Sequence, residues 1–112
     1  MLPPRIPKKP KRASRWKSTA HRDFVRSHSC CNCGSIANLE VAHVRLGSGA
    51  GIGQKPDDWR AVSLCQDCHR HQHLIGEQTF WAEQDIEALI RAFIAASPRR
   101  AQIEQIMRER GL

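Results

Sequence analysis

A chain of 112 residues with net charge +7 and only 5% aromatic residues is one small domain, or one with a tail, and it is too short to bury a large apolar core. Its five cysteines are an odd number in two tight clusters, which argues against a secreted disulfide framework and leaves reduced thiols for a metal. No run of eighteen apolar residues is present, and the N-terminus MLPPRIPKKPKR lacks the apolar segment of a signal peptide, so a cytoplasmic protein with no membrane partner is expected.

Charge is unevenly placed. Through Arg26 there are nine basic residues against one acid, Asp23, or +8; the rest of the chain carries nine basic and ten acidic groups, or −1. Pro3, Pro4, Pro7 and Pro10 keep the start of this segment extended, and residues 1–17 read as a disordered basic arm. Lys8, Lys9, Lys11, Arg12, Arg15 and Lys17 suit a phosphate backbone, because each cation releases condensed counterions on contact; a solvated solubility tail is the alternative.

Ser18 or Thr19 caps a short helix with Phe24 and Val25 as its apolar contacts. CCNCG is a knuckle-like turn, and Leu39 to Val44 alternates as a strand. The connection from Arg45 to Asp58 is rich in glycine and turn formers but lacks the Gly-Lys-Ser/Thr ending of a phosphate-binding loop. Trp59 to Leu64 forms the second strand of a hairpin. A helix follows from about Cys65 to Leu74, ended at Gly76. A further helix is expected over Phe80 to Ala96, with Ile86, Leu89, Ile90, Phe93 and Ile94 on one buried face. Ser97 as N-cap and Pro98 at the first turn start the last helix, which carries Ile103, Ile106 and Met107 and stops at Gly111. The C-terminal helices, residues 81–112, pack on a central unit of residues 18–80.

Cys30-x-x-Cys33 and Cys65-x-x-Cys68 have the spacing of a four-cysteine structural zinc site, one pair on a knuckle and the other at a helix start, as in a treble-clef finger. Cys31 is the odd one out. His69 and His73, four residues apart, share a helix face offset by about 40°, while Cys68 and His69 differ by about 100°. Four thiolates close a zinc shell, so the two histidines suit a second metal with open positions; a polar helix face without metal is the alternative.

CCNCG followed by EVAHVRLGSGAGIGQKPDDWRAVSLCQDCHRHQHLIG resembles the HNH endonuclease superfamily, and within it the phage and prophage branch related to the recombination-enhancement nucleases. The likeness covers roughly His21 to Trp81. It implies a small α+β fold built on a ββα-metal finger with structural zinc. By this resemblance His43 is the general base that takes a proton from water, and an imidazole titrating near neutrality suits that task. His69 and His73 are ligands of a catalytic Mg²⁺, Mn²⁺ or other divalent ion, and DNA is the partner, cut by hydrolysis of its phosphodiester bonds. Two positions depart from the pattern: Ala42 stands where many members have a metal ligand before the base, and Arg60 replaces the middle asparagine. Asp57 and Asp58 are the nearest replacement ligands, with Glu40 weaker; Arg45, Lys55 and Arg60 are placed to contact DNA.

The resemblance also implies a role in recombination or DNA processing in the cytoplasm of a bacterial host, with a recombinase filament or phage DNA-processing proteins as further partners. Ala42 and Arg60 favour a different class of function, a non-catalytic treble-clef zinc module that binds DNA or a recombination protein. A phage assembly factor acting within a packaging complex is a third reading.

Overall fold

The computed structural model describes residues 1–7, 15–49 and 55–112. Lys8, Lys9, Lys11 and Arg12 of the arm therefore lie outside the described residues. The fold is small α+β: helix α1 (Thr19–Arg26), strands β1 (Leu39–His43) and β2 (Ala61–Cys65), then helices α2 (Gln66–Ile75), α3 (Glu77–Phe80), α4 (Ile86–Ala96) and α5 (Arg100–Glu109). Among the described residues, no helix is long and apolar enough to cross a membrane.

The two strands pair antiparallel, from Leu39 opposite Cys65 to His43 opposite Ala61. Every residue of β2 is buried, whereas β1 buries only Ala42. Both faces of β2 are thus covered, and its sequence reads as a nearly continuous small-apolar run rather than an alternation. Val62 and Leu64 join Val25, Val44, Trp59, Trp81, Ile90, Phe93 and Ile103 in a single core. The amide of Cys31 donates to the carbonyl of Ser63 at 2.9 Å, which holds the knuckle against the strand.

Helix boundaries follow local caps. Ser18 Oγ accepts from the His21 amide at 3.1 Å and starts α1. Cys65 fills the N-cap of α2, where its sulfur accepts from the Cys68 amide. Gly76 ends α2 at φ 88°, a backbone that only glycine adopts without strain. The single helix expected over residues 80–96 is two pieces. The chain turns at Trp81–Gln84, and Asp85 Oδ1 accepts from the Ala88 amide at 3.0 Å to cap a new helix. The apolar face of α4 is the expected one, with Leu89 at its margin. The last helix begins at Arg100, later than Ser97-Pro98 implies, because Ser97 Oγ instead takes the Arg99 amide and lies 2.7 Å from the buried His21 Nδ1.

The body begins earlier than the end of the expected arm. Trp16 packs against Trp59 with ring centroids 5.5 Å apart, and its amide donates to Asp57 Oδ1 at 2.6 Å. Arg110 clamps the other side of Asp57, at 3.1 and 3.0 Å, and lies over the Trp59 ring. Asp58 is wholly buried and accepts from Arg15 (2.9 Å), the Ser18 amide (2.8 Å), Arg22 (2.5 Å) and His43 Nε2 (2.9 Å). Burial alone would raise its pKa, but the bonds from His43, Ser18 and Arg22 outweigh burial and bring it down to about 2.

A carboxyl held below its unfolded value stabilises the fold above that value, and the contribution is lost as the pH falls through the folded one. Stability should therefore drop between about pH 4 and pH 2. Asp58→Ala, which strands two guanidinium groups, should cost about 3 kcal/mol in urea unfolding at pH 7 and flatten that acid limb. A variant as stable as the parent would show that these bonds do not hold the fold.

Candidate functional site

The sulfurs of Cys30, Cys33, Cys65 and Cys68 lie within 4.8 Å of one another, with Cys33 and Cys65 at 3.7 Å. Tetrahedral zinc with bonds of about 2.3 Å separates its sulfurs by about 3.8 Å, so the cluster fits such an ion. The knuckle and the start of α2 contribute in the same way: the Cys33 amide faces the Cys30 sulfur and the Cys68 amide faces the Cys65 sulfur, each at 3.5 Å. Burial pushes Cys30 up, yet the N–H groups of Cys33, Cys65 and Asn32 bring its pKa down to about 6. Cys68 goes the other way. The Asn32 amide favours its thiolate, but burial and crowding by the sulfurs of Cys65, Cys33 and Cys30 push it up to about 12. Four crowded sulfurs without a cation resist ionising together, and a bound cation removes that conflict. Cys31 turns away, its sulfur 3.4 Å from Ser63 Oγ.

A second candidate site lies on the histidine-bearing side of α2. A cleft of about 400 Å³ is lined, among the described residues, by Val41 and His43 of β1, by Arg45, Lys55 and Pro56 of the connection, by His69 and His73 of α2, and by Glu77 of α3. Residues distant in sequence meet here because the hairpin folds β1 against β2 and α2 leaves directly from the end of β2. His69 Nδ1 lies 2.9 Å from Glu40 Oε1, so its proton sits on Nδ1 and its Nε2 presents a lone pair. That Nε2 is 3.2 Å from His73 Nε2. Adjacent ligands at about 2.1 Å from a metal stand about 3 Å apart, so this pair of nitrogens suits one divalent ion.

His43 is oriented in a comparable way. An ionised carboxylate only accepts, so His43 Nε2 donates to Asp58 and the neutral ring keeps its lone pair on Nδ1. The side chain is 18% exposed, while Asp58 beneath it is fully enclosed. The pair has the geometry in which a carboxylate orients an imidazole.

Asp57 and Asp58, named as replacements for the missing metal ligand, do other work. Neither lines the cleft among the described residues, and their oxygens are taken by Trp16, Arg110, Arg15, Ser18, Arg22 and His43. Glu40 stands behind His69 as its hydrogen-bond partner. Of the cations expected on DNA, Arg45 and Lys55 line the cleft and Lys17 is exposed. Arg15 is bound to Asp58 and the Pro56 carbonyl. Arg60 grips Glu87 through both terminal nitrogens, at 3.1 and 2.6 Å, and the carbonyls of Val44 and Leu46 at 3.3 and 2.7 Å. It braces the turn after β1. Glu77 is the residue that sequence reasoning missed: its carboxylate accepts from the Arg45 amide with both oxygens at 3.0 Å and from the Leu46 amide at 2.7 Å. No periodicity marks it.

The chain as purified should carry one tightly held zinc, read by elemental analysis. Cys65→Ser should lose the ion and the cooperative melt, because metal binding here is folding free energy, whereas Cys31→Ser should keep both. A cooperative melt untouched by Cys65→Ser would refute the four-cysteine centre.

No curated protein and no solved structure matches the chain. Over residues 3–91, which include both pairs of cysteines and every side chain of the cleft, it matches the family model described as a protein of unknown function, DUF968, and it belongs to that family.

Proposed function

We propose that this protein is a metal-dependent endonuclease of the HNH kind, hydrolysing phosphodiester bonds of DNA. The observation that carries the reading is the convergence on one cleft of the His43–Asp58 dyad, the His69–His73 pair and the side chains of Arg45 and Lys55. The resemblance of the same segment to the HNH pattern agrees with this reading.

In this reading the four cysteines hold structural zinc in a treble-clef ββα-metal finger, and His69 and His73 hold a catalytic divalent ion such as Mg²⁺ or Mn²⁺. Bound there, such an ion would supply positive charge to the phosphate under attack. His43 Nδ1 takes a proton from the attacking water while Asp58 steadies the imidazolium that forms. The water oxygen bonds to phosphorus, the bond from phosphorus to the 3′-oxygen breaks, and the 3′-oxygen takes a proton from solvent. Arg45 and Lys55 neutralise flanking phosphates, and the basic arm extends that contact along the backbone without reading bases. A place in phage or prophage recombination within a bacterial cytoplasm follows from the resemblance. One observation favours a non-catalytic zinc module instead: neither Asp57 nor Asp58 supplies the third protein ligand.

The test is nicking of supercoiled plasmid by the purified chain, beside His43→Ala, with Mg²⁺, with Mn²⁺ and with EDTA. Metal-dependent nicking that falls at least a hundredfold in His43→Ala is expected. Equal nicking by both proteins would remove His43 from the chemistry, and DNA binding without nicking by either would favour the zinc module.

A further inference from the structure

The turn that follows β1 presents two backbone amides, those of Arg45 and Leu46, to Glu77 at the edge of the cleft, and both are held in place from behind. In a trans peptide the N–H and C=O point in opposite directions. The Val44 carbonyl accepts from Arg60 Nε, which sends the Arg45 N–H the other way. The Arg45 carbonyl accepts from the amide and hydroxyl of Ser48, at 2.9 and 2.6 Å, which does the same for the Leu46 N–H. Gly47 tightens the turn at φ 76°, and a Cβ there would stand 3.0 Å from Glu87 Oε1. The two amides therefore form a rigid concave pair, an arrangement that binds anions. Glu77 occupies it with three contacts of 2.7 to 3.0 Å.

A carboxylate is a poor resident for a cleft meant for polyanions unless it can leave. We propose that the Arg45–Leu46 amide pair is a binding site for a non-bridging phosphate oxygen of nucleic acid, and that Glu77 holds the site until a phosphate displaces it. The inference rests on the nucleic-acid reading of the cleft and adds to it a phosphate subsite and a latch. Charge complementarity supports the exchange: Lys55 and Arg45 line the same cleft, so an entering phosphate meets positive charge beside the two amides. The displaced Glu77 carboxylate sits at the first turn of α3, near solvent, where hydration replaces the amides.

The experiment is amide NMR of the full chain, with no Mg²⁺ or Mn²⁺ added, titrated with inorganic phosphate and separately with a short DNA duplex. Glu77→Gln keeps one neutral acceptor and preserves the turn; Glu77→Ala empties the site; Glu83→Gln, exposed and outside the cleft lining, controls for the loss of one negative charge. The Arg45 and Leu46 amides should shift with phosphate at roughly tenfold lower concentration in Glu77→Ala than in the parent, with Glu77→Gln between them and Glu83→Gln like the parent. Duplex binding should tighten in the same order. Amides that ignore phosphate in Glu77→Ala, or an equal gain in Glu83→Gln, would overturn the subsite and leave Glu77 as a structural staple. A response to phosphate without any duplex binding would uphold the anion site and overturn the nucleic-acid reading beneath it.

Discussion

One buried carboxylate organises this small protein. Asp58 has no exposure to water, and its two oxygens receive a guanidinium from each side of the arm-helix junction, a backbone amide that opens α1, and the imidazole of His43. A charge buried this deeply is tolerable only when every lone pair is met. Meeting them forces the start of the chain, the end of β1 and the approach to β2 into one arrangement. The same bonds that place α1 against the hairpin also set the tautomer of His43. Stability and the chemistry proposed for the cleft thus share a residue, and neither can drift without the other.

The cysteine cluster does the corresponding work at the other end of the hairpin. It joins the knuckle to the point where β2 becomes α2, so the helix leaves the strand in a fixed direction. That direction brings His69 and His73 onto the surface that β1 and its following turn complete with His43, Arg45 and Lys55. A chain with so few aromatic residues has little packing with which to fix this junction, and a metal held by the four thiolates would supply a further constraint. On the proposed reading, a closed metal shell builds the scaffold and an open one works on it.

Much of this was legible because it is written locally. The CxxC spacing, Ser18 before α1, Gly76 after α2 and the apolar stripe of α4 depend on residues a few positions apart. What escaped is written across the fold. Asp57 and Asp58 look like exposed turn acids next to a histidine-rich site, yet Trp16, Arg110, Arg15 and Arg22 claim them from more than thirty-five residues away. Arg60 looks like a phosphate contact, but Glu87 and two carbonyls take four of its five N–H donors. Glu77 shows no pattern at all, because the amides it meets belong to a turn whose shape depends on Arg60 and Ser48. The break between α3 and α4 was readable in principle from Asp85, three residues before Ala88, because the apolar periodicity begins only after it, at Ile86.

On the proposed reading the chain holds two different metals, one in the sulfur cluster and one on the histidine pair. The most direct measurement is Mn²⁺ binding to the zinc-loaded chain, followed by loss of the free-ion EPR signal, in the parent, His69→Ala and His73→Ala. One Mn²⁺ per chain is expected in the parent and none in either variant, with zinc retained in all three. Binding that survives both substitutions, or no binding by the parent even with DNA present, would contradict it.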